Sequence, residues 1–148
     1  MNGALAQADL LGIFGREGLD LATLWAPPTA SQPGAYAFRM FRNYDGKGAA
    51  FGDTSLRATS DDPDKLAIYA AERGDKMLTI MVINKSNQDL SSAIALQHAS
   101  VQDSAHVYRY SAAKLDAIAR GDDINIAGEQ LNTSFPANSI TLIELPPR

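Results

Sequence analysis

Met77-Leu78-Thr79-Ile80-Met81-Val82-Ile83-Asn84 reads as a β-strand with two buried faces. Leu78, Ile80 and Val82 alternate with Thr79, Met81 and Ile83, and both sets are largely apolar. A strand with one wet face alternates apolar with polar residues, so this one is expected at the centre of a sheet, covered on both sides. Arg73-Gly74-Asp75-Lys76 just before it has the composition of a hairpin turn, which makes residues 65–72 its partner strand. Working outward, further strands are expected at 55–59, 90–96, 106–110 and 139–145. In the last, Ile140 and Leu142 alternate with Ser139 and Thr141, the pattern of a half-buried strand. Residues 112–119 read as a short helix and 124–126 as a short strand. Several short strands at this spacing predict an antiparallel β-sandwich over residues 53–148.

Residues 1–52 have a different texture. Leu5, Leu10, Leu11, Ile13 and Phe14, with Ala4, Ala6 and Ala8 between them, predict a helix over 3–16. Its apolar positions exceed one narrow stripe, so neighbours are expected on more than one side. Gly15 and Gly18 stand where glycine commonly ends a helix. Leu19 to Trp25 is a short apolar run, consistent with a buried parallel strand, and Ala26-Pro27-Pro28 terminates it. A second helix is expected from Ser31 as N-cap, with Pro33 in its first turn, where a missing N–H costs nothing. Ala37, Phe38, Phe41 and Tyr44 keep helical spacing up to Asp45-Gly46-Lys47-Gly48. Helix, strand and helix in this order is the rhythm of an α/β barrel. The expected fold class is therefore α+β: a partial (β/α) barrel remnant over 1–52, then the sandwich.

Composition narrows the function classes. The chain has 148 residues, 45% hydrophobic and 20% charged, with a net charge of −4 and no cysteine. Thiol catalysis, zinc–thiolate sites and disulfides are excluded. No basic stripe suggests nucleic acid, no apolar run has the length of a membrane span, and the N-terminus lacks the pattern of a signal peptide. No cofactor or metal is expected. Asn43-Tyr44-Asp45-Gly46-Lys47-Gly48 imitates the start of a calcium loop, but Lys47 falls where an oxygen ligand belongs, so a helix-ending turn is favoured. Asp61-Asp62-Pro63-Asp64 reads as a solvated acidic turn.

Nor does a catalytic constellation emerge. His98 and His106 stand without a partner motif. Glycoside hydrolysis needs two carboxyl groups flanking a sugar bond. Glu17, Glu72, Glu129 and Glu144 show no reason in the sequence to converge. Trp25 has the most suggestive position. At the C-terminal end of a barrel strand, an indole is either a platform for a pyranose ring or a packed rim residue capping the core.

Three stretches carry a family resemblance. They are Gly3-Ala-Leu-Ala-Gln-Ala-Asp-Leu-Leu-Gly-Ile-Phe-Gly-Arg-Glu-Gly18, Asp20-Leu-Ala-Thr-Leu-Trp25 and Ala35-Tyr-Ala-Phe-Arg-Met-Phe-Arg-Asn-Tyr-Asp-Gly46. Together they resemble the end of the catalytic barrel of glycoside hydrolase family 44. Phe51-Gly-Asp-Thr-Ser55, Met81-Val-Ile-Asn-Lys85 and Pro136-Ala-Asn-Ser-Ile-Thr-Leu142 resemble its C-terminal β-domain. The resemblance implies a secreted, extracellular, retaining endo-β-1,4-glucanase acting on β-glucan or xyloglucan. It also implies that nucleophile and acid/base both lie upstream of Asn2, so that no catalytic residue is carried over. Trp25 is the one substrate-binding position it assigns. A chain of this kind is expected to be inactive alone. Its exposed barrel faces are expected either to associate with other copies or to pack on the sandwich. Two alternatives remain: a glucan-binding module using Trp25, Tyr69, Tyr108 or Tyr110, and a hydrolase whose site assembles by oligomerisation, for instance through Glu17 and Glu72.

Overall fold

A computed structural model describes all 148 residues. Two helices lead into nine strands, and every strand pair is antiparallel. Helix α1 is Asn2–Glu17. It ends because Gly18 takes the left-handed conformation, φ 66°, and donates its N–H to the Gly15 carbonyl. Helix α2 is Pro33–Arg42, with Pro33 at its start. The strands are β1 (Thr54–Leu56), β2 (Leu66–Glu72), β3 (Leu78–Asn84), β4 (Leu90–Ala95), β5 (Ser104–Ser111), β6 (Lys114–Arg120), β7 (Ile124–Ala127), β8 (Gln130–Phe135) and β9 (Ser139–Leu145).

The strands run in the order β1-β2-β3-β9-β5-β7-β8-β4, with β6 branching from β5. Strand β5 makes the branch: Ser104 and Ala105 pair with β7, while Tyr108–Ser111 pair with β6. The sheet thus curls, and its β7-β8-β4 part folds back over the first part. The result is three layers: helices, main sheet, second sheet.

Two apolar cores follow from strand alternation. On the helix side, Ala67, Tyr69, Met81, Ile83, Tyr110, Ile140 and Leu142 meet Ala4, Leu5, Ala8, Tyr36, Ala37 and Met40. On the other side, Ile80, Val82, Ile143 and Leu145 meet Leu96, Ile126, Leu131 and Phe135. Strand β3 is covered on both faces, as its composition predicts, and the Arg73–Lys76 hairpin forms with Lys76 at φ 68°. Helix α1 buries one stripe, Ala4, Leu5, Ala8 and Gly12, against the sheet. A Cβ on Gly12 would come within 2.3 Å of the Tyr69 ring, so only glycine permits that approach.

The structure corrects several expectations. Residues 19–25 form no strand: all are exposed, and no backbone-to-backbone hydrogen bond engages residues 20–28. A parallel strand needs neighbours for its N–H and C=O groups, and the sheet edges of this chain lie elsewhere. Gln32, not Ser31, is the N-cap of α2. Residues 112–119 belong mostly to β6 rather than a helix; pairing with β5 overrides the helix-forming Ala, Lys and Leu. Residues 130–135 form β8, a strand that their sparse apolar content does not predict. Strand β9 is buried along its whole length, not half-buried, because Ser139 and Thr141 face the second layer. There the Arg109 Nε donates to Thr141 Oγ1 at 3.2 Å.

Candidate functional site

Trp25 lies in the extended connection between α1 and α2, and its side chain is completely exposed. Leu19, Leu21 and Leu24 on the same connection are 51%, 79% and 51% exposed. Scattered apolar residues at a surface are ordinary; four large ones within seven residues form a patch of the kind that marks an interaction site. The connection borders an open groove of about 580 Å³ lined by Met1, Ala4, Leu24, Pro28 and Phe38, among others. Trp25 is therefore not packed within this chain.

The other candidate aromatics have structural duties. Tyr69 and Tyr110 are buried, which rules them out as open sugar platforms. Tyr69 donates its hydroxyl hydrogen bond to Asp9 Oδ1 at 2.6 Å, while Lys85 Nζ donates to Asp9 Oδ2 at 2.8 Å. Burial first, then this carboxylate, pushes the Tyr69 phenol well above its usual range. Tyr110 stacks on Tyr36 with ring centroids 4.7 Å apart. Tyr108 is half-buried between Tyr44 and Arg120.

The densest polar cluster surrounds Glu144 on the helix side of β9. Tyr44 donates to Glu144 Oε1 at 2.6 Å, Arg73 Nη1 donates to the same oxygen at 3.4 Å, and His106 Nδ1 stands 3.2 Å from Oε2. Arg73 also donates to the Tyr44 hydroxyl oxygen at 2.9 Å and to both oxygens of Asp75. Burial, with the Glu144 carboxylate behind it, pushes the Tyr44 phenol far up. The hydrogen bond to Asp75 leads the effects that raise Arg73. A buried carboxylate requires such compensation. The cluster ties the loop after α2 to the β2–β3 hairpin and to the centre of the sheet. Sequence reasoning missed it, because the pairing of His106 with Glu144 is fixed only by the β5–β9 register.

The other glutamates do not join it. Register places Glu144 on the face of Thr79 and Ala71, whereas Glu72 shares the opposite face with Leu78 and Leu145. Glu72 pairs with Lys76, Glu17 pairs with Arg16 at the exposed end of α1, and Glu129 is exposed in the β7–β8 turn. His98 is an exposed turn residue at φ 59°. These glutamates thus stand apart from one another, and the groove beside the 19–25 connection has no carboxyl group in its lining. In the 43–48 loop, Asp45 Oδ1 accepts the Lys47 and Ala49 N–H groups, and Asn43 Oδ1 accepts that of Gly48. Burial acts to raise the Asp45 carboxyl, but these backbone donors outweigh it and hold it below the usual range. Asp62 likewise accepts the Lys65 N–H and pairs with its ammonium.

No family model matches the sequence. The chain is 30% identical to the β-mannanase/endoglucanase A of Caldicellulosiruptor saccharolyticus over 96% of its own length, but spans 11% of that protein. Among solved structures, it superposes on a bifunctional glucanase-xylanase from a metagenome library with a TM-score of 0.94 and 42% identity, over 98% of this chain and 28% of that one. A family 44 endoglucanase from Clostridium thermocellum gives 0.88 and 28% identity, over 96% of this chain and 28% of that one. The chain thus spans well under a third of the length of these relatives. In sequence and in fold, it matches the C-terminal part of glycoside hydrolase family 44 endoglucanases over almost its whole length.

Proposed function

We propose that this chain serves as the C-terminal part of an extracellular endo-β-1,4-glucanase acting on β-glucan or xyloglucan, and that by itself it hydrolyses nothing. The likeness to endoglucanases carries the first half of this reading. The second half rests on the separation of its carboxyl groups, since hydrolysis of a glycosidic bond needs an acid and a second carboxylate on either side of it. In this role the sandwich and its Glu144 cluster brace the two helices, and the helices hold out the 19–25 connection. Trp25 is the substrate platform: an open indole face offers a pyranose ring apolar contact, and its N–H offers a hydrogen bond. The same open strip is also the surface through which copies of the chain would associate.

Affinity electrophoresis in gels containing hydroxyethylcellulose tests the platform. Retardation that disappears in Trp25→Ala supports it; retardation unchanged in that variant contradicts it. Release of reducing sugar from carboxymethylcellulose tests the inactivity. None is expected from the purified chain. Activity that Glu17→Gln abolishes would establish the oligomer-assembled hydrolase instead.

A further inference from the structure

An edge strand turns one row of N–H and C=O groups outward, and proteins usually blunt such edges with short length, charge, proline or a bulge. The edges of this sheet differ in that respect. Strand β1 has only three residues and lies between Asp53 and Arg57. Strand β6, which branches from β5, carries Lys114, Asp116 and Arg120 and is flanked by α2. Strand β4, at the far end of the sheet, has none of these devices. Leu90-Ser-Ser-Ala-Ile-Ala-Leu96 contains no charge and no proline, and its pairing with β8 runs without a bulge.

The register fixes which of its groups are free. Leu96 donates its N–H to the Glu129 carbonyl at 2.8 Å, and these two residues continue the β4–β8 register by one pair. Bonded and non-bonded pairs alternate in an antiparallel ladder, so Leu90, Ser92 and Ile94 bond to β8. Ser91, Ala93 and Ala95 therefore present their N–H and C=O groups to the open edge. The one side-chain hydrogen bond to them is long, from Ser92 Oγ to the Ala93 carbonyl at 3.5 Å. The side chains of Ser91, Ala93 and Ala95 are exposed, whereas Ile94, on the opposite face, packs partly against the second core.

We propose that β4 pairs with β4 of a second copy of this chain, antiparallel about a two-fold axis through Ala93. In that register Ala93 faces Ala93 of the second copy, and Ser91 faces its Ala95. Each of these is a bonded pair exchanging two hydrogen bonds. A copy suits the edge better than an unrelated strand. The free groups are symmetric about Ala93, so one strand supplies both halves of the contact. The side chains at the axis are small, which lets the backbones close. On the other face Ile94 meets Ser92 and Leu90 meets Leu96 of the copy, covering half-buried apolar groups. No like charges oppose each other, since Asp89 falls opposite Gln97. A strand pair of this length buries less than the roughly 1,200 Å² at which stable interfaces begin. The dimer is accordingly weak, with a Kd of about 0.1–1 mM. The main sheet separates this edge from the helices and the 19–25 connection, so the pairing does not depend on Trp25.

Sedimentation equilibrium over about 0.02–2 mM chain should show the average mass rising toward that of two copies. Hydrogen exchange on the same samples should show the Ser91, Ala93 and Ala95 amides gaining protection with concentration, while Ser92 and Ile94 are protected throughout. Ala93→Pro removes an N–H that serves no bond within the chain, so it should keep the thermal midpoint and weaken pairing at least about tenfold. Ala93→Lys and Ala93→Glu each set like charges face to face at the axis. Each variant alone should stay monomeric, and the two mixed should pair again. Trp25→Ala should pair as the parent does. A mass that stays constant to the highest concentration would overturn the proposal. So would association that survives both Ala93→Pro and Ala93→Lys, that Trp25→Ala removes, or that grows past two copies. Should Ala93→Pro fail to fold, the mixing of the two charged variants decides.

Discussion

Residues 78–84 and residues 19–25 are both short, largely apolar runs, and end in opposite environments. Strand β3 is hydrogen-bonded on both edges, to β2 and β9, and from Thr79 onward every residue is buried. The 19–25 run is exposed at every position, and beyond the Leu19 N–H, which caps α1 at the Phe14 carbonyl, it makes no backbone-to-backbone hydrogen bond. The difference lies only partly in the runs themselves, since Asp20 puts a charge into the second. Antiparallel neighbours for β3 come from a short hairpin and from the C-terminal strand, whereas a parallel strand needs crossover partners that this chain does not place beside it. An apolar run therefore states a demand for burial, and topology decides whether the demand is met.

The largest effect that can break this comparison is a truncation in the shared core. Leu142→Ala, at a fully buried position facing the helices, is expected to cost about 2–5 kcal/mol in urea unfolding. Leu21→Ala should stay within about 0.5 kcal/mol of the parent. Equal costs would mean that the 19–25 run is packed after all. Next comes the Glu144 cluster, which anchors the helical region to the sheet. Tyr44→Phe removes a buried hydrogen bond to a carboxylate and should cost about 1.5–3 kcal/mol; no loss would mean that the tie is idle. Smaller again is Gly12→Ala, whose added methyl meets the Tyr69 ring. A loss of about 1–3 kcal/mol in thermal unfolding is expected, while Gly15→Ala, with open space around it, should raise stability.

The smallest expected effect is a pH dependence. Tyr44 and Tyr69 are both held above the ordinary phenol range by burial and a carboxylate partner. Above about pH 10, the usual tyrosine value, the unfolded chain loses phenolic protons that the folded chain keeps. Stability contributed by these groups is thus complete at neutral pH and declines as pH rises past about 10. Chemical denaturation at stepped alkaline pH should show the decline, and Tyr44→Phe together with Tyr69→Phe should flatten it. A decline of unchanged slope in the double variant would assign it to other groups.

Much of the fold is legible from residues. Strands β2 and β3 announce themselves by largely apolar content, β9 by the alternation of Ile140 and Leu142 with Ser139 and Thr141, and Arg73-Gly74-Asp75-Lys76 by its turn chemistry. Helix α1 follows from Ala and Leu spacing and from Gly18. What hides is decided by partners. Lys114-Leu-Asp-Ala-Ile-Ala-Arg120 has helix-forming residues and becomes a strand because β5 offers an open edge. Gln130–Phe135 has too few apolar residues to stand out, yet Leu131 and Phe135 reach the second core. The candidate site divides in the same way. Trp25 could be singled out by its type and place, but the sequence left its two possible roles equal, and only its full exposure removes the packed one within this chain. The Glu144 cluster joins residues from four distant segments, so no local pattern could reveal it.

Hydrogen exchange tests the central contrast most directly. Amides of residues 20–26 and of β3 and β9 should be followed in the same sample of this chain by mass spectrometry or NMR. The account predicts that the 20–26 amides exchange almost as fast as in an unfolded peptide, while those of Thr79–Ile83 and Ile140–Ile143 exchange only by global opening. Slow exchange throughout 20–26 would contradict it, because those amides would then have partners that the fold described here does not give them.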